Sequence, residues 1–92
     1  VAAIVRTAKE GFSSVCVLGA GLLGVTACAM LHALGIPTII ACDPQEPCCE
    51  QAKKFGANHT VTISGPEWMQ NVFDLTQGRG CDLVFELAGT GD

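Results

Sequence analysis

The residue types and spacing most suited to chemistry are three glycines in the first third of the chain. Gly19, Gly21 and Gly24 form a G-x-G-x-x-G motif that follows an apolar segment at 14–18 and opens a segment of helical character. In that context the first glycine permits a tight turn and the second lets a pyrophosphate approach the backbone. The third glycine lets the helix pack close to the strand. The motif therefore predicts a dinucleotide site.

Residues beside and beyond the glycines strengthen this prediction. The N–H groups of Leu22 and Leu23 are expected at a helix N-terminus, where they and the helix dipole favour phosphates. Asp43 stands 19 residues after Gly24, at the end of a second apolar segment. An acidic residue at that distance accepts hydrogen bonds from the adenosine ribose and repels a 2′-phosphate. Because residue 44 is proline and no arginine follows nearby, NAD is favoured over NADP.

Other nucleotides that bind to the same fold remain alternatives. FAD proteins share the glycines but usually carry glutamate after the second strand, where this chain has Asp43. S-adenosylmethionine enzymes usually carry an acidic residue just before the first glycine, where this chain has Leu18. Both differences favour NAD without eliminating either rival.

The chain alternates segments of helical and strand character. Helices are predicted at 1–9, 22–34, 44–55 and from 64 to about 76, the last with Ser64 and Glu67 as a capping box. Strands are predicted at 14–18, 38–42, 58–63 and 82–87. Apolar strands separated by helices indicate an α/β fold with a partial doubly wound (Rossmann) parallel sheet. Right-handed crossovers give the strand order 3-2-1-4, truncated after the fourth strand, which would remain an edge.

Composition limits the remaining classes. The chain has 92 residues, a net charge of −4, 49% apolar residues and 15% charged residues, which indicates one globular domain. Without a basic patch it is not expected to bind nucleic acid or a membrane surface. It has no uninterrupted apolar run of about 18 residues. A signal peptide is not predicted, since residues 1–5 are already apolar without a charged segment before them. A cytoplasmic location is predicted, and residues 1–92 are interpreted as a fragment of a longer protein.

The six cysteines are interpreted as free thiols of a reducing compartment. Cys16 and Cys42 lie in apolar strand-like segments and Cys28 on an apolar helical face, where a thiol behaves as a small hydrophobic group. There is no C-x-x-C, and the histidines do not lie at finger spacing, so no metal site is predicted. Cys48 and Cys49 are the exception, since their polar segment suggests exposed, oxidisable thiols.

Several segments together resemble one enzyme family. The sequence is similar to the cofactor domain of medium-chain dehydrogenases/reductases of the zinc-dependent alcohol dehydrogenase type. The resemblance lies in the segments 14–24, 34–35, 43, 52–57 and 76–86. It implies that Leu87, Ala88 and Gly89 lie against the adenosine and its ribose. The family often has a basic residue five positions after the acid, where this chain has Cys48.

The resemblance also implies what the chain does. It would be the cofactor-binding portion of an NAD-dependent oxidoreductase that transfers a hydride between NAD(H) and an alcohol or carbonyl substrate. Catalytic zinc and the substrate pocket would come from a separate domain, so no catalytic or metal-binding residue is assigned here and the 92 residues alone are expected to be inactive. The expected partners are a dinucleotide, a small-molecule substrate and, for the parent, further copies of itself. A non-catalytic redox-sensing module and an inactive truncated fragment remain the alternatives.

Overall fold

The computed structural model describes the backbone of residues 2–5 and all atoms of residues 13–87. The described residues form five strands and three helices. The strands are β1 (Ala2–Val5), β2 (Ser14–Leu18), β3 (Thr38–Asp43), β4 (His59–Thr62) and β5 (Leu83–Glu86). The helices are α1 (Leu22–Ala33), α2 (Glu46–Lys54) and α3 (Trp68–Leu75).

The strands form one sheet in the order β1-β5-β2-β3-β4. The four strands from β2 to β5 are parallel, with Val15 of β2 opposite Ile39 of β3 on one side and Leu83 of β5 on the other. These four are the strands that the sequence predicts, so the order 3-2-1-4 and the doubly wound fold are confirmed. The carboxyl ends of β2, β3 and β5 consequently meet at one edge of the sheet.

The prediction of a helix at 1–9 is wrong over Ala2–Val5. These residues form β1, which pairs antiparallel to β5 with Ala2 opposite Glu86. An apolar run this short fits both the helical and the strand period, and the free edge of β5 offers it backbone partners. The fourth parallel strand is therefore not the edge that the sequence predicts. The rest of the predicted helix lies outside the described residues.

Side chains alternate between the two faces of the parallel strands, and each face has its own helices. One face packs against α1 and α2, as the right-handed crossovers β2-α1-β3 and β3-α2-β4 require. Its core includes Val15, Val17, Ile39 and Ala41. The other face packs against α3, and its core contains the intervening residues of the same strands with Val72 of α3. These intervening residues are Cys16, Ile40, Cys42 and Val61.

Helix α1 begins at the predicted residue, whereas α2 and α3 differ from their predicted bounds mainly at the first turn. Helix α3 begins at Trp68 with Glu67 at its N-cap and no side-chain capping hydrogen bond, so the predicted capping box is not formed. Glu67 already has helical backbone angles, and a bend and turn at 64–67 precede the helix. Helix α1, at 12 residues, is the longest of the three described helices. No helix among the described residues is long and apolar enough to cross a membrane.

Candidate functional site

The glycine motif forms a tight turn between β2 and α1. Gly19 has a φ of +97°, a left-handed conformation that favours glycine, and its N–H donates to the Cys42 carbonyl at 2.7 Å. A Cβ on Gly24 would collide with the carbonyl group of Gly19. The predicted roles of these two glycines in turn formation and close helix–strand packing therefore match the geometry.

The N-terminus of α1 offers unpaired donors to an open space. The first helical hydrogen bond runs from the Val25 N–H to the Gly21 carbonyl at 2.8 Å, so the N–H groups of Leu22 and Leu23 have no intrahelical acceptor. Gly21 is the N-cap and provides no capping side chain. A Cβ on Gly21 would meet no atom within 4 Å. This combination of free donors and empty space suits an anion.

Asp43 is buried against the glycine turn, with 7% of its surface exposed. Its Oδ2 accepts a hydrogen bond from the Ala20 N–H at 2.8 Å, and its Oδ1 accepts one from the Gln45 N–H at 2.7 Å. Sequence reasoning assigned Asp43 to the ribose and missed this contact with the turn. The signal lies in the strand register, because Leu18 is opposite Cys42 and the residues that follow are therefore neighbours. Each carboxylate oxygen retains a further lone pair.

The end of β5 lies beside the same turn. The Leu87 N–H donates to the Leu18 carbonyl at 2.8 Å, which holds the half-buried Leu87 next to the start of the glycine turn. Ala88 and Gly89, which the family resemblance also places at the adenosine, lie outside the described residues. The structure thus brings together the described members of the predicted site. These members are Gly19, Gly21, Leu22, Leu23, Gly24, Asp43 and Leu87.

An apolar cavity of about 430 Å³ lies between the first turn of α1 and one side of α2, next to the glycine turn. From α2 and the residue after it, Pro47, Gln51 and Phe55 line its wall together with the half-buried Cys48. Sequence reasoning missed this cavity. The four-residue spacing of Pro47, Gln51 and Phe55 could have indicated that they share one face of a helix. Cys48, which replaces the family's frequent basic residue, therefore adds no positive charge to this side of the site.

The thiols follow the prediction with one correction. None of the six is in a disulfide, and Cys16, Cys28 and Cys42 lie in the two cores as predicted. Cys81, for which burial was not predicted, is also in a core. The prediction that Cys49 is exposed is wrong, because α2 turns its Sγ inward to 3.7 Å from the carbonyl oxygens of Asp43 and Val61. Burial raises the pKa of the Cys49 thiol. Only Cys48 retains partial exposure.

The described residues do not fit a zinc ion. Within 13–87 no group of three or more histidine, cysteine, aspartate or glutamate side chains is arranged to hold a metal. The polar groups that contact the glycine turn include backbone donors and the Asp43 carboxylate, which suit a phosphorylated ligand with hydroxyl groups better than a metal ion.

The fold and the site together define a class. The parallel sheet is wound in both directions from β2, and the glycine turn and Asp43 lie where the winding reverses, as in doubly wound α/β proteins that bind ligands at this point.

Comparison with known proteins defines the family. The family model described as zinc-binding dehydrogenase matches residues 23–92, and the chain belongs to this family, the medium-chain dehydrogenases of the zinc-dependent alcohol dehydrogenase type. The resemblance seen in the sequence is thus confirmed.

Individual relatives show how much of the family's length is present. Sorbitol dehydrogenase of Bacillus subtilis is 34% identical over 95% of this chain and 25% of its own length. L-threonine 3-dehydrogenase of the same organism is 40% identical over 79% of this chain and 21% of its own length. The solved zinc-dependent alcohol dehydrogenase 2 of Streptococcus pneumoniae superposes with a TM-score of 0.76 at 35% identity, over 80% of this chain and 22% of the other. The chain therefore spans about a quarter of the relatives that it matches.

Proposed function

We propose that the chain binds NAD(H) and is the cofactor-binding part of an oxidoreductase that transfers a hydride between NAD(H) and an alcohol or carbonyl substrate. The observation that carries this proposal is the joint geometry of the glycine turn and Asp43. Free N–H groups, an open space over Gly21 and a buried carboxylate lie together at the switch point of the sheet. Its relatives are named as dehydrogenases, which supports the reaction class.

Each residue of the site has a distinct task in this proposal. The N–H groups of Leu22 and Leu23 donate to the pyrophosphate, which occupies the space that a side chain on Gly21 would fill. Asp43 accepts hydrogen bonds from the adenosine ribose through the lone pairs that Ala20 and Gln45 leave available. When bound, the nicotinamide accepts or donates the hydride, and the protein binds and orients the cofactor.

The preference for NAD over NADP follows from charge. A 2′-phosphate would approach the Asp43 carboxylate, which is already held close to the ribose position by two backbone donors. Among the described residues the only arginine is Arg79, which lies in the turn before β5, at the opposite end of the strands from Asp43. A phosphate at the ribose would therefore meet a negative charge with no guanidinium to offset it.

The wider assignment concerns the parent protein. We infer that residues 1–92 are part of an NAD(P)-binding domain and that the substrate pocket, with any catalytic zinc, belongs to other segments of a longer cytoplasmic enzyme that forms a homo-oligomer. The relatives' greater length supports this inference, since the chain spans 21–25% of the two described above. The chain alone is then expected to bind cofactor without turning over substrate.

The experiment is a calorimetric titration of the protein with NAD, NADP, FAD and S-adenosylmethionine, repeated with Gly21→Ala. The backbone angles at Gly21 (φ −74°, ψ −155°) and the open space around it allow alanine, so the variant should unfold like the wild type. Its methyl group would occupy the proposed pyrophosphate position and should lower the affinity for NAD at least tenfold. The matched control is Leu34→Ala at the far, exposed end of α1, which should bind NAD unchanged. Equal NAD affinity of Gly21→Ala and wild type, or a preference for another nucleotide, would contradict the proposal.

A further inference from the structure

Three cysteine thiols form a cluster in the core beneath α3, apart from the residues assigned to the cofactor. The Sγ atoms of Cys16 on β2 and Cys42 on β3 are 3.6 Å apart. Cys16 also shares a side-chain hydrogen bond with Cys81, which lies two residues before β5. Cys16 is thus the central thiol, with one thiol neighbour on each side, and none of the three is in a disulfide.

An apolar cavity of about 340 Å³ opens onto this cluster. Cys16 and Cys81 are among its lining residues, and Trp68 and Phe73 of α3 contribute aromatic rings to its wall. Small-molecule sites are typically apolar cavities of roughly 300–1,000 Å³ with a few specific groups. The cavity is therefore large enough for one aromatic ring, and its specific groups are thiols.

The arrangement disfavours a bond between Cys16 and Cys42. Cys16 is opposite Ile40, so Cys42 lies two residues further along β3. A strand spacing of about 4.8 Å and a rise of about 3.3 Å per residue place the two Cα atoms roughly 8 Å apart, beyond the limit of about 7 Å for a disulfide without backbone movement. Within 13–87 no trio of side chains is arranged for a metal ion either. The cluster therefore suits a ligand with one atom that bonds to two neighbouring sulfurs, so that the sulfurs need not bond to each other.

We propose that this cavity is a binding site for aromatic trivalent arsenicals, in which Cys16 and one of its two neighbouring thiols bond to arsenic while the aryl group lies beside Trp68 and Phe73. In the step, an aryl arsine oxide forms two As–S bonds and loses its As–O bond. The two thiol protons leave with that oxygen as water. Arsenic stays trivalent, so no oxidant or reductant is required.

The reactivity expected of the cluster separates this ligand from simple alkylating agents. The hydrogen bond with Cys42, together with burial, raises the pKa of Cys16 to about 12, and the contact with Cys16 raises the pKa of Cys81 as well. Alkylating agents react with thiolates, and the raised pKa values keep the thiolate forms of Cys16 and Cys81 scarce near neutral pH. The arsenical benefits instead from two adjacent thiols, because its second As–S bond forms within the same complex.

The experiment treats the protein with phenylarsine oxide and measures the intact mass, followed by peptide mapping without added thiol. One adduct per chain is expected, with Cys16 and either Cys42 or Cys81 as the bonded pair. The emission of Trp68, the only tryptophan, should change on binding. Absence of an adduct, or an adduct on a pair without Cys16, such as Cys48 and Cys49, would overturn the proposal.

Variants provide a second, independent readout. Cys16→Ala should lower the affinity for phenylarsine oxide at least tenfold. Cys28→Ala is the matched control, because Cys28 is a similarly buried thiol but lies in the other core, so this variant should retain wild-type affinity. Circular dichroism shows whether each variant is folded. Wild-type affinity in a folded Cys16→Ala variant would overturn the proposal. If this variant does not fold, peptide mapping of the wild-type protein still identifies the bonded pair and so tests the proposal by itself.

Discussion

Asp43→Ala tests whether the carboxylate stabilises the glycine turn before any cofactor is bound. The substitution removes both acceptors of the Ala20 and Gln45 N–H groups. A hydrogen bond to a charged group contributes about 1.5–3 kcal/mol, and an unsatisfied buried donor costs about 1–3 kcal/mol. Ala20 is 1% exposed, so its N–H loses its partner inside the core, whereas the exposed Gln45 can turn to water. We therefore expect a loss of roughly 2–4 kcal/mol in the free energy of unfolding.

The assay is urea unfolding of the cofactor-free protein. With an m-value of about 1.5 kcal/mol/M, the expected loss moves the midpoint down by roughly 1.3–2.7 M. Glu86→Ala is the matched control, because it removes one carboxylate from the same end of the sheet at an exposed position and should shift the midpoint little. An unchanged midpoint for Asp43→Ala would refute the structural part of the reasoning. In a folded Asp43→Ala sample at low urea, an unchanged ratio of NAD to NADP affinity would refute the ribose part.

Three further perturbations test the packing that positions the site. Gly24→Ala should destabilise the protein by several kcal/mol, as overpacking substitutions in a core do. The reason is that its Cβ would collide with the backbone of Gly19, and thermal unfolding measures the loss. Asp82→Ala should lower the free energy of unfolding, measured with urea, by roughly 1–3 kcal/mol. The Asp82 Oδ2 accepts hydrogen bonds from the N–H and hydroxyl of Ser13 and from the N–H of Ser14. Burial raises the pKa of Cys28 from 9.0 to about 11, so the unfolded chain releases this proton first and stability should fall as pH rises from about 9 to about 11. Cys28→Ala should reduce the loss of unfolding free energy between about pH 8 and about pH 10, measured by urea unfolding at both pH values. An equal loss in this variant and the wild type would contradict the raised pKa of Cys28.

The sequence predicted the parallel sheet because its strands are apolar on both faces and separated by helices. Gly35 and Gly56 mark the ends of the first two helices, both with positive φ. The glycines of the turn and Asp43 are close in the fold because β2 and β3 are parallel neighbours, whose carboxyl ends lie at the same edge of the sheet. For these elements, local signals and fold rules agree.

The failures arise where tertiary contacts outweigh the local pattern. Ala2–Val5 is too short to have a distinguishable period, and the free edge of β5 determines its conformation. Cys49 lies in a polar segment, yet its position on α2 directs its thiol toward the ends of β3 and β4. The second hydrogen bond of Asp43 depends on strand register, which composition and spacing do not specify.

The contact between Asp43 and Ala20 joins stability to the proposed function. A carboxylate that had to be ordered by the ribose would lose side-chain entropy on binding, and this loss would reduce affinity. Here two backbone donors already fix it, and the same contact fixes the turn that presents the N–H groups of Leu22 and Leu23. The proposed pyrophosphate and ribose subsites would therefore be organised by one shared interaction. Substitution of Asp43 should consequently weaken both subsites together, so that its effect on NAD affinity exceeds the loss of a single ribose hydrogen bond.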